Sequence, residues 1–388
     1  MVYSAAPQFE APFARDEELS LAIFFTIEAR LALMFNHVCL RARQFFHLAR
    51  RENFGGVPVV NRRNLFAGLR RVSVTGGLNH LVKISAPLFW SALLVQTFLL
   101  QESMGAVAGV EHVVVIGCDG MGSIAFQNSN TPVMRRLMQE GSYTLHARGV
   151  MPTSSSPNWA SMIMGAGPEQ HGVTSNDWET NKFEIAPTGV GSGGIFPTIF
   201  GILRDQKPRS IIACFHDWDG FGRLFERNAP NIIQDSDGPL HAVESAVAYL
   251  KLKKPNFTFI HLDHVDHAGH SFGWGSPEYI KAVKLADELI GDVLKGLDEA
   301  DMRRRTIVLV TADHGGKDKS HGGPTLGEIE IPWIISGPGV ISGHEIRSCV
   351  NTYDTAATIA HIFGLKTPSC WIGKPVLEAF KSTEVKPN

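Results

Sequence analysis

The chain has 388 residues, 44% hydrophobic and 19% charged, with a formal net charge of -2. That composition is globular and long enough for one large domain or two smaller ones. A balance so close to neutrality excludes a global field favouring nucleic acid or an anionic surface.

Residues 1 to about 110 differ from the rest. Before residue 84, Arg41, Arg43, Arg50, Arg51, Arg62, Arg63, Arg70, Arg71 and Lys83 tip the balance to basic; Ile84 to Leu100 is then uncharged, and Ala106-Val107-Ala108 is a small-x-small triplet. A basic flank, an apolar core and such a triplet describe a secretory signal, displaced from the usual start by about eighty residues. Three readings stay open: an exported enzyme whose true start lies further along; a signal-anchor helix over 84–100 with a basic cytosolic tail; or a buried or amphipathic helix of no targeting value. The first two place the protein outside the cytosol, periplasmic or extracellular, or anchored to a membrane. The division expected is an N-terminal extension over 1–110 and a catalytic domain over 111–388. The apolar patch from Leu21 to Leu33 receives no function.

From His112 onward the pattern is regular. Apolar runs predict strands at 112–118, 209–215, 256–263, 306–312 and 330–336. Helices are predicted from Thr131 to Glu140, Asn158 to Met164, Phe196 to Arg204, Leu240 to Lys251, Pro277 to Leu297 and Thr352 to Phe363. The Gly-rich stretch from Thr188 to Gly194 reads as a loop. Strands alternating with helices predict an α/β fold with a mostly parallel central sheet covered by helices on both faces. In such sheets ligands bind beyond the carboxyl ends of the strands.

Several polar motifs stand at those ends. Asp119 follows the run 112–118. Asp263-His264-Val265-Asp266-His267-Ala268-Gly269-His270 follows 256–263. Thr311-Ala312-Asp313-His314-Gly315-Gly316 and His321-Gly322-Gly323 follow 306–312. Alternating carboxylates and imidazoles are the donor set for hard-to-borderline divalent cations. Thr153, Ser154, Ser155 and Ser156 supply hydroxyls. Metal ligands plus a hydroxyl nucleophile point to phosphoryl-type hydrolysis. The five cysteines, Cys39, Cys118, Cys214, Cys349 and Cys370, form no Cys-x-x-Cys pair, which argues against a zinc knuckle or thioredoxin-type motif. Cys349 and Cys370 are candidates for a bridge in an exported protein, with separately buried thiols the alternative.

In chain order the motifs run strand-Asp-Gly-Met, Asn130-Thr131-Pro132, Ser155-x-Pro157-Asn158, Gly-x-x-Pro-Glu-x-His-Gly from Gly165 to Gly172, Asp266-x-x-x-His270, Asp313-His314-Gly-Gly and His321-Gly-Gly. This order resembles the alkaline phosphatase superfamily, in its type I phosphodiesterase/nucleotide pyrophosphatase branch, over about residues 112–378. The resemblance implies an alkaline phosphatase-like fold and a two-metal site, usually two zincs. Asp266, His270 and His321 match the ligands of one metal. Asp119, Asp313 and His314 match those of the other, with the nucleophile beside it. The family pattern places the nucleophile three residues before an Asn. That selects Ser155, with Asn158 as the group on the substrate phosphoryl oxygen. Here Ser stands for the commoner Thr, and Ser156 for an aromatic. Asp263 and His267 are surplus in their motif and are candidates to orient a ligating imidazole. His171 is expected to be structural, Lys317 and Lys319 to be solvated, Trp178 and Trp274 to pack. His216-Asp217-Trp218-Asp219 is a candidate pocket wall.

Sulfatases of this fold need Cys or Ser followed by x-Pro-x-Arg, and Ser155 is not followed by such an Arg. The span from Trp178 to Pro255 is too short for a mutase's inserted domain. The expectation is therefore hydrolysis of a phosphodiester or pyrophosphate bond in a small-molecule phosphate ester, not a nucleic-acid polymer, through a covalent seryl-phosphate. A phosphomonoesterase, a phosphonate hydrolase and an inactive metal-binding relative are the alternatives. Oligomeric state is not readable.

Overall fold

The computed structural model describes residues 106–182 and 184–381. The basic segment and the apolar stretch 84–100 lie outside the described residues. Among those described, no helix is long and apolar enough to cross a membrane.

Eight strands form one sheet: β1 (His112–Cys118), β2 (Ser142–Arg148), β3 (Ile212–His216), β4 (Ile232–Asp235), β5 (Phe257–Leu262), β6 (Thr306–Thr311), β7 (Glu330–Ser336) and β8 (His344–Glu345), in the order β4-β3-β5-β1-β6-β7-β2-β8. The block from β4 to β6 is parallel throughout. β1, β5 and β6 are buried at every residue. They read as continuous apolar runs because both of their faces are covered. β7 runs antiparallel to both of its neighbours, β6 and β2, so the sheet is mostly parallel, as expected, with one reversed strand. β2, β4 and β8 have no counterpart among the predicted strands.

Seven helices carry most of the covering: α1 (Pro132–Glu140), α2 (Ser155–Met164), α3 (Ile199–Gln206), α4 (Gly238–Lys253), α5 (His264–Phe272), α6 (Pro277–Glu299) and α7 (Asp354–Phe363). On one face α4 packs on β3 and β5, with α6 against α4, α5 and α1. On the other, α2 packs with α3 and α7. Alternate residues of β5 serve the two faces: Phe257 and Phe259 lie against Phe200 of α3, and Phe259 also meets Trp159 of α2 edge-on. Trp159 reaches over Gly117 of β1, where an added Cβ would stand 2.5 Å from its ring.

Two differences from the expected elements matter for the site. α2 starts at Ser155 instead of Asn158, which puts the hydroxyl cluster on the first turn of a helix. The 264–270 motif is itself a helix, α5, so Asp266 and His270 share one face at i, i+4 spacing. Cys349 and Cys370 are both free, the first exposed and the second half-buried, and Cys118 and Cys214 are buried thiols. The bridge considered for Cys349 and Cys370 is not formed.

Candidate metal centre

Strand register brings the ligand motifs to one edge of the sheet. Cys118 of β1 pairs with Leu262 of β5, and Gly117 pairs with Thr311 of β6. Asp119, Asp263 and Asp313 therefore leave the sheet within two residues of one another's level. The Asp119 amide donates to the Leu262 carbonyl at 2.8 Å, extending the ladder by one step. Gly120 then turns with φ 68°, and an added Cβ would lie 2.7 Å from the Asp266 Cα. Only glycine allows the β1 turn and α5 to approach this closely. The Gly120 amide also donates to Asp313 Oδ1 at 3.1 Å.

All six ligand candidates converge. His314 Nε2 is 3.5 Å from Asp119 Oδ1 and 3.2 Å from Asp313 Oδ2. Asp266 Oδ2 is 3.3 Å from His270 Nε2, and its Oδ1 is 3.7 Å from His321 Nε2. His314 and His321 stack at 3.9 Å between centroids, which joins the two groups. Ligand atoms of Asp119, Asp313 and His314 lie within 4.8 Å of one another, as do those of Asp266, His314 and His321, and those of Asp119, Asp263 and Asp266.

The imidazoles declare which nitrogen is bare. Nδ1 of His314 faces the Gly315 carbonyl at 2.8 Å, Nδ1 of His321 the Thr153 carbonyl at 2.8 Å, and Nδ1 of His270 the Lys319 carbonyl at 3.0 Å. A carbonyl only accepts, so each Nδ1 carries the proton and each Nε2 turns a lone pair into the cluster. His270 and His321 bring those lone pairs to within 3.0 Å. Asp266 Oδ1 and Asp313 Oδ2 are buried without a hydrogen-bond partner. Bare nitrogens crowded against unpartnered carboxylate oxygens are the chemistry of a cation site, and the donor set fits zinc.

Electrostatics agree. Burial and the neighbouring charges of Asp119 and Asp263 push Asp266 up to about 9. Burial and Asp119 push Asp263 up to about 7, and the same two causes raise Asp313 well above the carboxylate range. Burial holds His314 down at about 4, despite Asp119. Asp119 is the exception. Burial opposes its charge, yet a hydrogen bond from His261, the fields of His314 and His261, and the Trp159 N–H hold it at about 2. The site is a set of buried acids short of positive charge.

Ser155 stands at the first position of α2, its Oγ 3.2 Å from His314 Nε2 and 3.5 Å from Asp119 Oδ1. The neighbouring hydroxyls are placed differently. Thr153 Oγ1 donates to the Gly323 carbonyl at 2.8 Å and accepts from Gly322 N, while Ser156 Oγ is buried without a partner. Asn158 is turned away from the ligands. Its Oδ1 accepts from Val150 N at 2.6 Å, and its Nδ2 donates to the carbonyls of Ser154 and Pro152 at 2.9 and 3.0 Å. The amide that does border the nucleophile is Asn176, whose Oδ1 accepts from Ser156 N at 2.8 Å; its Nδ2 makes no hydrogen bond among the described residues. The sequence reading passed over Asn176, because it lies in a loop twenty-one residues after Ser155 with no local pattern.

Four further residues border the centre. Trp159 Nε1 donates to Asp119 Oδ2 at 2.8 Å. His261, buried inside β5, meets the same oxygen at 3.2 Å and Asp217 on its other side at 3.4 Å. Of the expected pocket wall, then, Asp217 is buried and faces His261. Burial disfavours charge on His261, but its hydrogen bond to Asp119 and the two facing carboxylates, Asp119 and Asp217, outweigh that and raise it to about 9. Trp274 donates to the Gly120 carbonyl and lies edge-on to His270. His267 is exposed, and its ring makes no hydrogen bond among the described residues. His171 is buried against Ser161, and Lys319 Nζ reaches the Ser271 carbonyl.

The family model for type I phosphodiesterase/nucleotide pyrophosphatase matches residues 113–188 and 208–325, half of the chain, including every ligand candidate and Ser155. The chain belongs to this family. Human ectonucleotide pyrophosphatase/phosphodiesterase family member 1 is 27% identical over 221 residues, which are 53% of this chain and 24% of that protein. Venom phosphodiesterase CdcPDE of Crotalus durissus collilineatus is 26% identical over 226 residues, 55% of this chain and 27% of the venom protein. The chain thus spans about a quarter of the length of these family members. Murine ectonucleotide pyrophosphatase/phosphodiesterase 5, solved as an inactive variant with AMP, superposes with a TM-score of 0.60 at 15% identity over 70% of this chain and 100% of its own. Wild-type alkaline phosphatase PafA gives 0.60 at 12% identity over 71% of this chain and 100% of its own. These likenesses establish an alkaline phosphatase-like fold.

Proposed function

We propose that this chain hydrolyses phosphodiester or pyrophosphate bonds of small phosphate esters, nucleotides foremost, with Ser155 as the nucleophile. The observation that carries the reading is the Ser155 hydroxyl 3.2 Å from the bare Nε2 of His314, at the edge of a cluster of buried carboxylates short of positive charge. Asp119, Asp313 and His314 would hold one divalent cation, and Asp266, His270 and His321 a second; zinc suits the mixed donor set. Bound there, the pair would lower the pKa of the hydroxyl and offset charge on the phosphoryl and leaving oxygens. Ser155 Oγ bonds to phosphorus as the ester or anhydride oxygen departs, and water then cleaves the seryl-phosphate to restore the hydroxyl. The N-terminus of α2 stabilises the anion beside it. Asn176, not Asn158, is the amide available to a phosphoryl oxygen.

Charge supports the diester over the monoester. Arg223, the guanidinium that reaches Asn176, is committed to Glu179 at 3.0 Å and to the Asn176 carbonyl. Glu179 and the Asn176 carbonyl compete for it with a second phosphoryl charge. The names of the relatives, ectonucleotide and venom enzymes, support export, which N-terminal sequencing of the mature chain would test. Colour release from bis-p-nitrophenyl phosphate should exceed that from p-nitrophenyl phosphate and stop with chelator. Faster monoester cleavage overturns the diester assignment. Ser155→Ala should abolish turnover with metal content, read by elemental analysis, unchanged; activity surviving in Ser155→Ala but lost in Ser154→Ala moves the nucleophile to Ser154.

A further inference from the structure

His261 is a buried imidazole that takes no part in the chemistry above, yet it touches the site. It lies on the β5 face that meets α2, with no exposed surface. Trp159, Phe221 and Trp218 enclose its ring at centroid distances of 4.8, 5.1 and 5.9 Å. Within that cage its two nitrogens face two carboxylates, Nε2 to Asp119 Oδ2 at 3.2 Å and Nδ1 to Asp217 Oδ1 at 3.4 Å. The same Asp217 oxygen accepts the Asp263 amide at 2.7 Å, directly ahead of α5, the helix that carries Asp266 and His270.

Asp119 Oδ2 thus faces two nitrogens, Trp159 Nε1 at 2.8 Å and His261 Nε2 at 3.2 Å. Its Oδ1 is left facing Ser155 and His314. We infer that Asp217 and His261 are positioning residues: they hold Asp119 as a one-oxygen ligand and tie that ligand to the start of α5, so that one buried relay sets the spacing of the two ligand groups. The inference rests on the two-cation reading of the site. Outer partners of metal ligands typically change affinity by about 10- to 100-fold when removed. Rotation of Asp119 would blunt one cation position and leave the other, built on α5 and His321, nearly intact.

The test uses the full chain loaded with cobalt(II) as a spectroscopic probe, comparing wild type with His261→Leu, His261→Gln and Asp217→Asn. Cobalt stoichiometry and affinity come from competition with a chelator, geometry from the visible absorption bands, and folding from circular dichroism. Wild type should take up two equivalents. His261→Leu should keep one at wild-type affinity, bind the other about tenfold more weakly, and shift the bands. His261→Gln, whose amide N–H can still reach Asp119, should restore most of the affinity. In turnover, kcat should fall while KM holds. Asp217→Asn, nearly isosteric, should fail in the same direction and decides the matter if His261→Leu does not fold. Two equivalents with unchanged affinity and spectrum in the folded Asp217→Asn or His261→Leu protein overturn the relay alone. A wild type that binds no cobalt overturns both the relay and the two-cation reading.

Discussion

Asn158 commits its amide to the backbone that leads into α2, and Asn176 accepts from Ser156 N with no hydrogen bond on its Nδ2 among the described residues. Replacing Asn158 with Ala would strand several buried backbone groups and cost about 2–4 kcal/mol of stability, read as a lower melting temperature with metal binding retained. Asn176→Ala would instead cut kcat by about 10²- to 10³-fold, the usual loss for one donor to a developing oxyanion, with little change in melting. Equal kinetic loss in both variants would return the donor role to Asn158. His171 gives a pH prediction apart from the metal cluster. Val173 N donates to its Nδ1 at 3.0 Å, so its Nε2–H points to Ser161, and burial lowers it from 6.5 to about 3. The unfolded chain therefore takes up this proton first. Stability tied to the neutral ring is complete above pH 6.5 and declines as pH falls toward 3. His171→Gln should make the acid limb of stability between pH 6 and 4 shallower by about 1.4 kcal/mol per pH unit, measured by urea unfolding across that range.

At the scale of elements, α1 is capped from a distance. Its N-cap Thr131 makes no side-chain cap, and Pro132 has no N–H to offer. Asp287 of α6 accepts from Val133 N at 3.0 Å and Met134 N at 2.8 Å. Asp287→Ala should cost about 2–4 kcal/mol and leave kcat unchanged, because neither helix supplies a ligand. A melting temperature equal to wild type would show that water replaces the carboxylate. This cap joins helices more than 150 residues apart and has no local signal. Strand legibility follows burial. β1, β5, β6 and β7 stood out as apolar runs because both faces are covered. β2 carries Ser, Thr, His and Arg and alternates in burial, while β4 has four residues and β8 two. Such strands acquire identity from their partners.

For the molecule as a whole, the proposed cation sites among the buried acids would make cation binding part of stability. A cation at about 1,000 times its Kd adds about 4 kcal/mol, or about 8–16 °C for a domain of this size. Stripping with chelator should lower the melting temperature by that order, and zinc should restore it, followed by calorimetry. A melting temperature indifferent to chelator would contradict the cation reading.

The sequence by itself determined the strand-end positions of Asp119, Asp263 and Asp313, the Asp/His motifs, the mostly parallel sheet and the family, because an apolar run ending in a polar motif is a local signal. Only the tertiary structure decided the reversed β7, the pairing of His261 with Asp119 and Asp217, and which backbone groups Asn158 and Asn176 bond. Each of these depends on register and on backbone groups brought from distant parts of the chain. A carboxylate or amide has no assigned partner until the sheet closes around it and water is excluded.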